Sequence, residues 1–180
     1  MPGYELFQYL DQEGNRQTID SADVNDYLRE ITGEEITAKD FRTWAGTNLA
    51  ALALQEFELF DTEAKKKRAV VRAVEKVAKD LGNTPAICRR CYIHPAIFDG
   101  YLDGTLLSTL KEETRKYLTE NVAGMSAEEA AVAAFLSLRL GELEREQKGG
   151  TASRSADTRN NLSIVRNRAK SPELIHNSLN

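Results

Sequence analysis

The sequence predicts a mainly α-helical fold opened by a short β-hairpin. Three observations carry this expectation. Apolar residues recur at helical spacing through most of the chain, capping residues (Ser21, Thr37, Thr84, Ser126) precede the periodic segments, and Gly or Pro punctuates their ends. The 180 residues amount to about one domain. Hydrophobic residues are 41% and charged ones 29%, the balance of a folded chain rather than a disordered one.

Residues 5–10 and 16–19 flank the turn Asp11-Gln12-Glu13-Gly14-Asn15 and read as the hairpin. Ser21 can cap a helix through about residue 31, closed by Gly33, and Thr37 a longer one over residues 38–57. Residues 62–81, with Gly82 at the C-terminal cap, form the most amphipathic segment. At 100° per residue, Lys65, Arg68, Arg72, Lys76 and Lys79 fall in one stripe, with Val70, Val74, Val77 and Leu81 nearly opposite. Thr84 and Pro85 open a helix expected to run past Tyr92 until Pro95 interrupts it. Residues 95–102, 108–121 and 126–147 complete the set, the last opened by a Ser126…Glu129 capping box. After Gly149 the composition turns to Ser, Thr, Asn and Arg without apolar periodicity. The expected division is an ordered part over 1–148 and a disordered tail over 149–180.

The net charge of −4 conceals opposing blocks. Residues 1–60 carry 4 basic and 12 acidic side chains, whereas 61–92 carry 9 and 4. A basic block in an acidic chain still makes a local phosphate-binding surface, because charges beyond a Debye length of about 10 Å are largely screened. The longest uncharged run, residues 43–55, is too short to span a bilayer, and the N-terminus lacks the regions of a signal peptide. Two cysteines exclude a disulfide framework. The expectation is a cytoplasmic protein with no membrane partner.

Lys39 and Arg42 share a face near a helix N-terminus, where the dipole already favours an anion. A solvated surface pair has the same spacing. Tyr92 follows Arg89 by three residues and Arg90 by two; nearby cations can stabilise a phenolate and the charge on an attacked phosphate. A core tyrosine with a satisfied hydroxyl fits the same pattern. Cys88-x-x-Cys91 with His94 offers too few ligands for structural zinc and lacks the βαβ context of a thioredoxin motif, so no metal or other cofactor is expected. The stripe from Lys65 to Lys79 can be an ordinary solvated face, but its purity of sign suits DNA.

Several separated blocks then agree in order with one family. Pro2-Gly3, Leu6-Phe7-Gln8-Tyr9 and Asp23-Val24-Asn25-x-Tyr27-Leu28 are followed by Lys39-Asp40-Phe41-Arg42-Thr43-Trp44-Ala45-Gly46-Thr47. Leu81-Gly82-Asn83-Thr84-Pro85 and Tyr92-Ile93-His94-Pro95 come after. Over residues 2–147 the chain resembles the C-terminal part of the catalytic domain of bacterial type IB DNA topoisomerases, the branch similar to poxvirus topoisomerase. The resemblance implies relaxation of supercoiled duplex DNA without metal or ATP, by transient cleavage of one strand. Tyr92 would form a 3′-phosphotyrosyl bond and Arg42 would be the second arginine of a phosphate clamp. Asn83 would stand where poxvirus enzymes have histidine, Lys39 would contact phosphate, and the 65–79 stripe with Arg89 and Arg90 would meet DNA. It further implies a monomeric, nucleoid-associated bacterial enzyme. The family's other clamp arginine and its general-acid lysine lie upstream of the Pro-Gly-x-x-Leu-Phe segment, so this chain by itself is expected to be inactive. A tyrosine recombinase shares the Arg…Tyr chemistry, but usually has His where Lys39 stands and lacks Thr-Trp-Ala-Gly-Thr. A non-catalytic helical DNA-binding module is the alternative from another class.

Overall fold

The computed structural model describes residues 7–57, 62–120 and 125–149, which fall into two compact units dividing between Phe41 and Arg42. The architecture is mainly α with a short N-terminal antiparallel hairpin, as the sequence predicts. The tail expected after Gly149, the first two residues of the predicted hairpin and Asn121 of the predicted sixth helix lie outside the described residues.

In the first unit, β1 (Gln8–Leu10) pairs with β2 (Arg16–Thr18), Gln8 opposite Thr18 and Leu10 opposite Arg16. Asp11 closes the turn: its carboxylate accepts the N–H groups of Glu13 and Asn15 and the Gln17 amide. Gly14 supplies the positive φ, 82°. The helix α1 (Ser21–Thr32) is capped by Asp20 instead of the expected Ser21. The Asp20 carboxylate accepts from Ala22 and Asp23, and Asp23 returns the bond to the Asp20 N–H. A carboxylate both accepts more strongly than a hydroxyl and complements the helix dipole, so the acidic residue takes the cap. No residue of α1 is buried.

Helix α2 (Ala38–Gln55) starts where expected, although Thr37 caps in an unexpected sense. Its N–H and hydroxyl both donate to the Asp40 carboxylate. Beyond Arg42 the helix belongs to the second unit and is buried over much of its circumference, through Thr43, Trp44, Gly46, Thr47, Asn48, Ala50, Ala51, Ala53 and Leu54. Mostly small side chains let neighbouring backbone approach closely.

Helix α3 (Glu63–Leu81) has the predicted amphipathic form. Ala69, Val70, Ala73, Val74, Val77 and Ala78 are buried while the five stripe cations are exposed. Each buried valine is worth about 1.5–3 kcal/mol of transfer free energy, and this seam holds the helix. At its C-terminus Gly82 (φ 66°) donates to Lys79 O and Asn83 N–H to Ala78 O, a Schellman ending.

The continuous helix expected from Thr84 past Tyr92 is instead two pieces. Thr84 caps α4 (Pro85–Ile87), which passes into a π-helical turn over Cys88–Tyr92. Ile93 is extended, and His94 caps α5 (Pro95–Asp103) through Nδ1, which accepts the Ala96 N–H at 3.2 Å. Helix α6 (Thr105–Glu120) begins three residues earlier than expected because the Asp103 carboxylate accepts both the N–H and hydroxyl of Thr105. Helix α7 (Ala127–Gly149) opens with the predicted Ser126…Glu129 box, and the other Glu129 oxygen accepts Trp44 Nε1 at 3.2 Å. Leu54, Val77, Ile97, Tyr101, Leu106, Leu110, Val132 and Phe135 are among the residues that fill the core of this unit.

Candidate functional site

Four residues on one side of α2 shape the surroundings of Tyr92. Arg42 and Gly46 are one helical turn apart, as are Thr43 and Thr47. The Thr43 hydroxyl donates to Cys91 O (3.4 Å), and the Thr47 hydroxyl accepts the His94 N–H (3.0 Å). Gly46 faces the intervening Tyr92 carbonyl so closely that a Cβ there would lie under 3.0 Å from its oxygen and 3.2 Å from its carbon. The backbone on both sides of Tyr92 is thereby bonded to α2. The π-helical winding adds a second constraint, since π turns occur mostly as single turns inside helices and frequently at functional sites.

The Arg42 guanidinium lies over the Tyr92 ring, 5.3 Å from its centroid, and donates to the Leu81 carbonyl. Asn83 Nδ2 donates to the same oxygen at 3.0 Å. The Schellman ending uses the carbonyls of Ala78 and Lys79, so the Leu81 carbonyl remains to gather the two side chains at the negative end of the α3 dipole. Arg42, Asn83 and Tyr92, singled out from sequence positions 50 residues apart, therefore meet at the end of α3. Tyr92 is half-buried and Arg42 is exposed, so the cluster opens to solvent.

Arg89, three residues before Tyr92, turns to a different ring. Arg89 lies over Phe98, 5.0 Å from the ring centroid. In a turn wound i→i+5, a residue three positions earlier no longer stacks on its successor; the cation over Tyr92 comes from α2 instead. Arg90 is exposed on the same turn. Lys39 belongs to the first unit. Lys65, Arg68, Arg72 and Lys79 are exposed on α3, while Lys76 pairs with Glu56 at 2.6 Å.

Cys88 is fully buried; loss of solvation raises its thiol pKa, with Arg42 pulling the other way. His94 is buried, and desolvation lowers its pKa against the pull of Asp99. Among the described residues no cluster of three or more His, Cys, Asp or Glu side chains could hold a metal, and no helix is long and apolar enough to cross a membrane. Sequence pattern alone gives no role to Thr43, Gly46, Thr47 or the Leu81 carbonyl. The small and hydroxyl residues at spacing four beside Arg42 were the available signal.

Comparison with known proteins places the chain in a family. Residues 1–121 match the family described as eukaryotic DNA topoisomerase I, catalytic core. The chain is also 33% identical over 101 residues to DNA topoisomerase 1B of Acanthamoeba polyphaga mimivirus, an alignment covering 52% of this chain and 30% of that protein. The alignment thus spans less than a third of the viral relative, and the relationship extends to viral and eukaryotic members rather than to a bacterial branch in particular. On a match over two thirds of its length, the chain belongs to the type IB DNA topoisomerase family, as part of the catalytic core.

Proposed function

We propose that Tyr92 is the nucleophile of a type IB topoisomerase acting on duplex DNA, with Arg42 gripping the attacked phosphate. The single observation that carries this reading is the Arg42 guanidinium poised 5.3 Å from the Tyr92 ring centroid while anchored on Leu81 O. Tyr92 Oη gives up its proton to solvent as it attacks phosphorus, the P–O5′ bond breaks, and a 3′-phosphotyrosyl ester forms while the departing 5′-oxygen takes a proton from a general acid. Reversal reseals the strand after the helix has rotated. A guanidinium has five N–H donors; with one on Leu81 O, the remainder can follow the nonbridging oxygens as charge builds. Asn83 keeps one amide hydrogen for phosphate but carries no charge, so its contribution is the smaller. Lys39 and Arg90 would bind flanking backbone, with Arg89 tied to Phe98 contributing least.

The acid that protonates the 5′-oxygen and the partner arginine of the clamp would come from the upstream part of the enzyme, as the resemblance implies. That resemblance also carries the finer reading of a monomeric, nucleoid-associated enzyme of the bacterial, poxvirus-like branch, to which Asn83 in the histidine position is the pointer. The test is Tyr92→Phe in the complete enzyme. Covalent attachment to DNA should vanish while non-covalent binding, which rests on phosphate contacts, stays near the parental level. Adduct persisting in the variant would remove Tyr92 from the role.

A further inference from the structure

The stripe on α3 is not uniform, and its N-terminal half forms a groove. Phe57 and Ala69 make an apolar floor rimmed by Lys65, Arg68 and Arg72, enclosing about 200 Å³. The three rim cations are exposed and have no ion-pair partner among the described residues. Further along, Lys76 is already neutralised by Glu56. Lys66, one residue off the stripe, serves the fold, donating to Leu102 O at 2.7 Å and pairing with Glu63.

We propose that this groove holds a sugar–phosphate stretch of duplex DNA away from the phosphate at Tyr92, with phosphates on the rim cations and deoxyribose against Phe57. The proposal rests on the reading of the chain as a DNA topoisomerase and adds a second contact region to it. Charge complementarity selects the occupant. Three cations within eight residues, none of them ion-paired among the described residues, match a polyanion of closely spaced phosphates, and an apolar floor suits the sugar face between them. Arg68 and Leu81 are thirteen residues apart, roughly 20 Å along the helix, which equals the rise of about six base pairs. One phosphate held by Arg42 at the C-terminal end of α3 therefore cannot also fill the groove. Lys76 contributes little to counterion release because binding DNA must first displace Glu56.

The experiment measures equilibrium binding of the full 180-residue chain to a blunt duplex across a range of salt concentrations. Replacing both rim arginines (Arg68→Gln with Arg72→Gln) should flatten the plot of log K against log salt by about 1.8, at about 0.9 per lost phosphate contact. Lys76→Gln should change it by less than half of one contact. Phe57→Ala, its fold checked by thermal melting, should weaken binding with the slope unchanged, a signature that diffuse positive charge does not give. An unchanged slope in the double variant, no binding by the parental chain, or binding to polyglutamate as tight as to DNA would each overturn the groove assignment. The outcome is separable from the role of Tyr92, because that is read from covalent adduct and this from non-covalent binding. Adduct formation in the complete enzyme with an unchanged slope would refute the groove alone.

Discussion

Gly46→Ala is the most economical perturbation of the Tyr92 site, because it adds one methyl group at the closest approach between α2 and the π turn. In an open helix the exchange stabilises by about 0.8–1.0 kcal/mol through propensity. At Gly46 the new Cβ meets the Tyr92 carbonyl oxygen at under 3.0 Å, its carbon at 3.2 Å and Leu81 Cδ1 at 3.3 Å. The leucine methyl can turn aside; the carbonyl cannot, because the flanking residues are bonded to Thr43 and Thr47. Overpacking against unyielding neighbours costs typically about 1–3 kcal/mol, which outweighs the propensity gain. A net loss of about 1 kcal/mol corresponds to a fall of roughly 2–4 °C in Tm for a chain of this size. The larger effect should be on chemistry: the turn relaxes away from α2, and a shift of about 1 Å in a reacting group can cost about 10²-fold. Gly141→Ala in α7 is the internal control, since its Cβ meets nothing nearer than Arg145 Nη2 at 3.7 Å. It should raise Tm. Calorimetry on the 180-residue chain and adduct formation in the complete enzyme provide the readouts. If Gly46→Ala matched Gly141→Ala in stability and left cleavage at the parental rate, the close packing of α2 on the Tyr92 turn would have no consequence and the reasoning would fail.

Arg42→Lys should slow adduct formation in the complete enzyme strongly and Arg42→Ala further, by about 10²–10³ as for a lost oxyanion donor, because a point charge cannot hold Leu81 O and a phosphate together. Parental rates in Arg42→Ala would exclude it from the site. His94 is depressed below its ordinary pKa of 6.5 by burial, so below about that pH the unfolded chain takes up the proton more readily than the folded one. Stability should therefore be lost as pH falls below 6.5, and protonated Nδ1 no longer accepts the Ala96 N–H. His94→Asn keeps a capping acceptor without titrating there; urea unfolding at pH 5 and pH 7 should show a smaller difference for the variant, and an equal one would put the acid sensitivity elsewhere. The 180-residue chain alone should not relax plasmid, whereas fusion to the upstream part of the enzyme should restore relaxation. General-acid catalysis is worth about 10²–10⁴, so efficient relaxation by the chain alone would mean that its own residues supply the acid.

Much of the fold was legible because the helices announce themselves by period and cap. The α3 stripe, its Gly82 ending, Pro85 at the first helical position and the Ser126…Glu129 box all stand where local chemistry puts them. The departures have local causes too. Asp20 outcompetes Ser21 as a cap, and Asp103 starts α6 early. The π turn is different: nothing in Cys88-Arg-Arg-Cys-Tyr92 forbids an α-helix. Its winding is accompanied by the bonds to α2 from Cys91 O and the His94 N–H, contacts across more than 45 residues of sequence.

The same reasoning explains why the site was only half readable. Arg42 and Tyr92 stand out because side-chain chemistry marks them, and Asn83 only through the resemblance, yet what gathers them is main chain: Leu81 O for Arg42 and Asn83, Cys91 O for Thr43, and the Tyr92 carbonyl against Gly46. Every residue carries a carbonyl, so no choice of residue at position 81 or 91 advertises its use. The mark falls on the partner instead. A glycine is needed at 46 because a Cβ does not fit, and Thr47 supplies an acceptor for the His94 N–H where an apolar side chain could not. The block Arg42-Thr43-Trp44-Ala45-Gly46-Thr47 is thus one helical surface fitted to one turn of backbone. Arg42 aims at the ring, Gly46 admits the carbonyl, the two threonines bond the flanking peptides, and Trp44 fixes the helix to α7 through Glu129. Read this way, the spacing inside the block follows from the geometry of a helix against a peptide turn, independently of which relative it resembles.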